Sequence, residues 1–431
     1  MKHLLLKCCI VLCFVGFTNY SLLHAQSGAW LQLGLDIDGE AAGDQFGSSV
    51  AFSSDGNRVA IGAPHANTNN SGHVRVYDWD GAAWTQVGAD IDGENPNDAS
   101  GWAVALSAAG SRLAIGAINN EGNGGIFSYS GHVRVYDWNG SAWTQVGADI
   151  NGEASDSSGS SVALSDNGSR VAIGAPYNDD NGNNVGQVRV FDWDGSTWTQ
   201  VGADINGEAT TNDLSGYAID LSASGNRLAV GAIHNDGTSN NTGSVRVYDW
   251  DGAAWVQVGT DIDGKAEFDN SGWSVALSSN GNRLAIGAPP NDDNGQDSGH
   301  VRVYDWDGST WIQVGTDIAG EAAGDHSGWS VSLSADGSRL AIGARNNDGN
   351  GADAGQVRVY IWNGSTWVQI GADIDGEATG DWSGYAVALS AAGSRVAIGA
   401  KFNDGNGADA GQVRVFEFQP ACEANKGTWG N

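Results

Sequence analysis

Three short motifs recur seven times along this chain, and their recurrence limits the possible folds more than any other feature. The Trp that opens W-x-Q-(V/L/I)-G stands at Trp30, Trp84, Trp143, Trp198, Trp255, Trp311 and Trp367. The Gly of G-x-V-R-V stands at Gly72, Gly131, Gly186, Gly243, Gly299, Gly355 and Gly411. The Arg of R-(V/L)-A-(I/V)-G stands at Arg58, Arg112, Arg170, Arg227, Arg283, Arg339 and Arg395. Successive copies lie 54 to 59 residues apart, the period of a repeat architecture.

Each copy holds four short runs that alternate or are continuously apolar, bounded by Gly, Asn, Asp or Ser, and none shows helical periodicity. In the second copy these are strand A (Val104-Ala105-Leu106), B (Leu113-Ala114-Ile115), C (Val133-Arg134-Val135-Tyr136) and D (Trp143-Thr144-Gln145-Val146). The A–B link is a tight turn such as Ser53-Ser54-Asp55-Gly56-Asn57, and the C–D link carries Asp80-Gly81. Glycine supplies the positive φ that such turns need. Four antiparallel strands, seven times over, predict an all-β, seven-bladed β-propeller spanning residues 26–418. The phase also predicts its closure. A lone D strand opens the propeller at Trp30 and a lone A–B–C set ends it at Phe418. The N-terminal D strand should therefore pair beside the last C strand and leave no open edge.

Residues 1–25 read as a cleaved secretory signal: Lys2 and Lys7, an apolar run from Cys8 to Phe17, and a small residue at Ala25. The run is too short to span a membrane, and no later run comes near that length. Leu12 before Cys13 argues against a lipoprotein. The mature protein is expected to be secreted or surface-exposed, soluble and monomeric. Only Cys422 remains after the signal, in a short tail (419–431), so there is no disulfide framework. Cys422 is either an inert tail residue or an intermolecular handle.

The net charge of −31 excludes nucleic acid as a partner, because phosphate neutralisation needs a basic surface. In an A–B–C–D meander the D–A and B–C connections share one face. They carry 36 of the 51 acids, so carboxylates should crowd that face. The B–C loops, such as Asn178-Asp179-Asp180-Asn181-Gly182, are oxygen-rich and broken by Gly, which suits a hard cation such as Ca²⁺. Asp179, Asp180, Asp292, Asp293, Asp297, Asp348, Asp353, Asp404 and Asp409 are the candidate ligands. The competing reading is that Asn, Asp and Gly are simply what solvated turns use.

Most repeated residues read as structural. Fourteen of the fifteen Arg fall in two sevenfold registers, at the start of B and the middle of C, where their stems can pack between blades and their guanidinium groups can bond carboxylates or carbonyls. The paired Trp of strands C and D suit wedge-shaped sheets with small cores. His73, His132 and His300 share a register with Gln187, Gln356, Gln412 and Ser244, which points to a tolerant polar position. No nucleophile elbow, zinc-protease motif, phosphate loop or Cys/His cluster is present, and the chain is not expected to be an enzyme. Copies differ mainly in their loops. Trp102, Tyr217, Trp273, Trp329 and Tyr385 follow the Gly that opens strand A, near the expected channel mouth, while Ser48 and Ser160 replace them in two copies. With Phe127 and Tyr129 of the longest B–C loop, they are candidates for a ligand face, either as a platform or as a plug.

The first copy reads Phe46-Gly47, then Gly62-Ala63-Pro64, then Gly72-x-Val-x-Val-Tyr. This resembles the FG-GAP repeat of integrin α-subunit β-propellers and their bacterial relatives, over residues 30 to 418. Gly-Ala-Pro recurs at Gly174 and Gly287, while Ser replaces Phe elsewhere. The resemblance implies an extracellular propeller used for adhesion or protein binding, often with Ca²⁺. Calcium-binding members place an Asp-x-Asp-x-Asp-Gly-type loop between A and B. Here that link is only a turn such as Ser165-Asp166-Asn167-Gly168-Ser169, so those ligands have no counterparts. The expected function is a secreted or cell-surface binding or adhesion module that meets an extracellular protein or glycan through its acidic D–A/B–C face, assisted by Ca²⁺. The alternative is a lectin with repeated Trp-lined sites between blades.

Overall fold

The computed structural model describes residues 28–421 apart from 68, 123–128, 209–210 and 238. The expected signal peptide, Phe127, Cys422 and the tail beyond it lie outside the described residues. The described chain is all-β: seven antiparallel sheets follow one another around a central channel.

In the first blade strand A is Ser49–Phe52, B is Arg58–Ala63, C is His73–Trp79 and D is Trp84–Gln86. The other blades repeat this order. The last is completed as the phase predicts: Gly28–Gln32 pairs with the final strand C, Gln412–Pro420, in the register Trp30 opposite Phe418. One feature extends the expectation. Ile91–Asp92, read as the start of a D–A loop, returns to pair with strand C, so D is a longer strand broken in the middle. The break is spanned by a side-chain bond, Gln86 donating to Asp90 at 2.7 Å, and the same Gln-to-Asp bond recurs at all seven copies.

Seven buried clusters of Val, Ile, Leu and Ala fill the spaces between adjacent sheets. Strand B is buried on both faces, which explains its continuous apolar run. Polar devices set the angle between blades. Arg58 forks onto Asp78 (2.6 Å for both bonds), donates to the Gly110 carbonyl of the next blade at 2.8 Å, and lies 5.7 and 5.8 Å from the ring centres of that blade's Trp138 and Trp143. Arg112, Arg170, Arg227 and Arg283 repeat the arrangement with Asp137, Asp192, Asp249 and Asp305. In the sixth blade Ile361 takes the acid's place, and Arg339 keeps only the Gly393 carbonyl and the Phe418 ring. The indole of each D-strand Trp donates back to the preceding blade, as Trp143 does to the Val87 carbonyl at 3.0 Å.

Backbone contacts join neighbouring blades around the channel at both ends of strand A. At the turn end, the N–H of Ser54 donates to Ala108, Ala108 to Asp166, Asp166 to Ala223, Ala223 to Ser279, Ser279 to Ala335, Ala335 to Ala391, and Ala391 back to Ser54, each at 2.8 or 2.9 Å. At the opposite end, glycines of neighbouring blades touch: a Cβ on Gly62 would sit 2.0 Å from the Gly101 carbonyl oxygen. Only glycine permits that approach. Inside the channel one residue breaks the symmetry. Asp220 occupies a register held by Ala51, Ala105, Ala163, Ala276, Ser332 and Ala388, and accepts the N–H groups of Leu221 and Leu277.

Two measurements follow from these contacts. Arg283→Met strands Asp305 and the Gly337 carbonyl and should cost roughly 2–3 kcal/mol in denaturant unfolding, whereas Arg339→Met should cost only about 1 kcal/mol, having no carboxylate to strand. Burial raises the Asp220 carboxyl to about 7, so the unfolded chain gives up this proton more readily than the folded one. Wild-type stability should therefore fall as pH climbs from the ordinary carboxylate range through 7. Asp220→Asn should remove that slope, with a gain on the order of 1–2 kcal/mol at alkaline pH and none in acid.

Candidate functional site

The D–A and B–C connections share one face of the disc, as the meander requires, and bond to each other across it. The N–H of Asn97, for example, donates to the Asn69 carbonyl, and that of Gly43 to Ala408. The acids there are less free than their number suggests. Asp44, Asp98, Asp156, Asp213, Asp269, Asp325 and Asp381 form one register and are all buried. Asp98 accepts the N–H of Asn95 at 2.8 Å and the amide of Asn120 at 3.0 Å. Asp156, Asp269, Asp325 and Asp381 take equivalent amides from Asn178, Asn291, Asn347 and Asn403. These carboxylates tie D–A loops to B–C loops, so the crowding expected of the face is partly relieved by hydrogen bonding.

At the centre of this face the channel opens into a cup of about 450 Å³. Trp102, Tyr217, Trp273, Trp329 and Tyr385 all line it. Four of them form an arc, with ring centres 5.0 Å apart for Tyr217–Trp273, 4.6 Å for Trp273–Trp329 and 5.6 Å for Trp329–Tyr385. These rings wall the cup rather than plug it: Trp102 is 39% exposed and the others are half-buried. The small residues Ser48 and Ser160 leave the opposite side open, their hydroxyls donating to the carbonyls of Gln45 and Ser157. Tyr129 is exposed on the same face and does not line the cup.

Two further registers, not singled out from sequence, border the cup, and Gln45, Pro64, Ile118, Ser157, Pro176 and Lys401 from them line it. The first follows Gly-Ala at the end of strand B. It holds Pro64, Ile118, Pro176, Ile233 and Pro289 in five blades, but Arg345 and Lys401 in the last two. Arg345 lies 3.2 Å from the Trp329 ring centre and 4.1 Å from that of Trp382; Lys401 lies 3.9 Å from Tyr385 and 4.7 Å from Phe402. Burial, reinforced by the neighbouring Arg345, pushes Lys401 down to about 8, and burial lowers Arg345 to about 10. The second register precedes the Ser-Gly (Phe46-Gly47 in the first copy) that opens strand A and holds Gln45, Ala99, Ser157, Leu214, Asn270, His326 and Trp382, all at positive φ. A left-handed residue at seven equivalent positions is a feature of the frame, the turn that leads each D–A connection into strand A. A signal for both registers was present in the sequence as repeated frames with one variable position.

The proposed hard-cation ligands are not brought together. Asp179, Asp292, Asp348 and Asp404 each accept the backbone N–H five residues on, closing their own loops at 2.7 to 2.9 Å. Asp353 accepts the Asn346 amide. Asp180, Asp297 and Asp409 join no metal-sized group among the described residues; of the nine, only Asp293 does. The A–B turn does not fit the calcium loop of the family it resembles either, since Asn167 spends its oxygen on the N–H of Ser169 and the Ser165 hydroxyl. Three other groups have ligand atoms close enough to share an ion: His73 with Asp90 and Asp92, His132 with Glu94 and Asp149, and His300 with Asp293 and Asp317. The protein's own cations already serve them. Arg75 forks onto Asp90, Arg134 approaches Glu94 to 3.7 Å, and Lys265 bridges Asp293 and Asp317 at 2.9 and 2.6 Å.

The FG-GAP repeat family model matches residues 37–77, 148–191, 260–304 and 319–360. Each window runs from the second half of a D strand through A, B and C of the next blade, the phase in which the ring closes. The three intervening blades have the same strands without a match of their own. No curated protein matches the chain.

The cup's buried cations predict a pH effect on stability. Between about 8 and the ordinary lysine value the unfolded chain holds more protons than the folded one, so wild-type stability should rise across that window. Lys401→Met should abolish the rise and add on the order of 1–3 kcal/mol at neutral pH, measured by thermal unfolding.

Proposed function

The chain belongs to the FG-GAP repeat β-propeller family, and on that premise we propose that it is a secreted or cell-surface binding module, non-enzymatic and monomeric, whose contact site is the aromatic cup on the D–A/B–C face. The observation that carries this reading is the loss of sevenfold symmetry. The Arg, Gln and buried Asp registers repeat around the ring, as a scaffold should, whereas the residues facing the cup change from blade to blade. Apolar walls with a few convergent polar groups are the usual composition of a ligand pocket, and the volume falls in the range of small-ligand sites. The lining contains no Asp, Glu or His among the described residues, so a carboxylate pair or imidazole base has no place in this reading. Among the described residues no helix is long and apolar enough to cross a membrane.

The inter-blade lectin alternative has less support. The C- and D-strand Trp pairs lie against each other at 5.3 to 5.5 Å and beneath the Arg of the preceding blade, with the D-strand indole N–H already donated. Calcium enters only as a modulator of the acidic rim, supported by its oxygen-rich loops. A higher melting temperature with Ca²⁺ than with chelator would support that role, since a cation held by the native state must stabilise it.

Screening the chain against glycan and extracellular-protein arrays tests the main reading. One ligand per chain is expected, with binding weakened about tenfold or more by Trp329→Ala and by Ser160→Trp, which fills the cup. Binding of several ligands per chain that neither substitution alters would move the site to the blades' outer edges.

A further inference from the structure

We propose that the cup takes a single carboxylate-bearing sugar, the acidic end of an otherwise neutral glycan; this rests on the cup being the binding site. Three cations among the described residues fall outside the two sevenfold Arg registers: Lys265, Arg345 and Lys401. Lys265 is held by two carboxylates. Arg345 and Lys401 pair with none, although the protein carries 51 acids. Lys401 lines the cup and Arg345 lies against the Trp329 ring of its wall; both are half-buried, and the Arg345 Nε–H has no acceptor. The two cations rest on aromatic faces in place of carboxylates, and burial together with Arg345 disfavours the charge on Lys401. An anion placed between them would favour that charge through charge-assisted hydrogen bonds.

The rest of the cup narrows the ligand. The rings of Trp102 and Trp273, which carry neither cation, offer flat apolar surface on which the C–H face of a pyranose can lie. Across the cup, Ser48, Ser160, Gln45 and Asn119 supply hydroxyl and amide groups to meet ring hydroxyls. The Ser48 and Ser160 hydroxyls have already donated their protons and are left as acceptors. A simple anion would leave the aromatic arc unused, and a neutral sugar would leave the cations unpaired. A polyanion would meet the acidic loops around the rim, so one carboxylate at a chain end fits best.

Titration calorimetry and Trp fluorescence with methyl glucuronide, N-acetylneuraminic acid, methyl glucoside, sodium acetate and a short peptide ending in Asp test this on the whole chain. The acidic sugars should bind, and methyl glucoside and acetate at least about tenfold more weakly. Arg345→Gln and Lys401→Gln, checked for folding by circular dichroism, should each weaken the acidic sugars about tenfold and leave the methyl glucoside signal unchanged. Affinity should fall as pH rises past 8, where Lys401 loses its proton; the nearby groups that must be held in view are Arg345, Tyr385, Tyr217 and His65, whose own protonation burial and Lys401 both disfavour. Equal binding of acidic and neutral sugars, equal binding of acetate, preference for the peptide, or no binding of any uronic or sialic acid at millimolar concentration would overturn the proposal. If array ligands still respond to Trp329→Ala while acidic sugars show no preference, only the ligand class is wrong.

Discussion

The fork of Arg onto Asp at the foot of the first five blades is the contact on which the ring most depends. A blade's apolar faces are non-directional and could slide or splay against a neighbour at little cost, since burial rewards area and not angle. A guanidinium that holds its own blade's carboxylate, reaches the next blade's carbonyl and lies against that blade's Trp pair accepts only a narrow range of geometries. The pair is only partly buried, with Arg58 15% and Asp78 41% exposed, so its value lies more in orientation than in raw stability. With the angle set by these groups and the near-contact of glycine backbones at the mouth, closure after seven steps leaves the cup as a place where the copies need not agree.

The same logic explains how much could be read in advance. Strand number, strand order and closure were legible because the motifs recur in one phase and because a lone D strand at one end complements an A–B–C set at the other. The Arg registers were legible as structural because a functional residue has no reason to occur seven times. That reasoning applied equally to Asp44, Asp98 and their equivalents, yet these were grouped with the solvated acids. Composition counts a carboxylate as a charge and does not register the Asn120 amide brought to it from a loop 22 residues away. The second half of strand D was missed for a related reason: two residues, Ile91 and Asp92, are too few to show alternation, and it is their pairing with strand C, helped by the Gln86–Asp90 bond, that returns them to the sheet.

The cup was half legible. The strand-A aromatics could be placed near the mouth because they follow the Gly that opens the innermost strand. Arg345 and Lys401 could not, because a lone Arg and a lone Lys in a chain rich in charged loops carry no local pattern. Their meaning appears only when each is compared with Pro64, Ile118 or Pro289 at the same place in other blades. Trp382 was hidden in the same way, in a register whose other members include Gln45, Ala99 and Asn270 and whose shared property is a backbone angle.

The circle of seven turn peptides from Ser54 to Ala391 has a further consequence. A linear array of such bonds would leave a spare donor at one end and a spare acceptor at the other; a circle has neither, and all its bonds point the same way round. Repeats this similar invite unequal exchange between gene copies, which would add or delete a blade without disturbing any motif. A chain of six or eight copies could still form every sheet, but its turns would meet at a different spacing and the circle would have to open or stretch. The count of blades is thus checked by the folded chain itself, at a place where no side chain takes part.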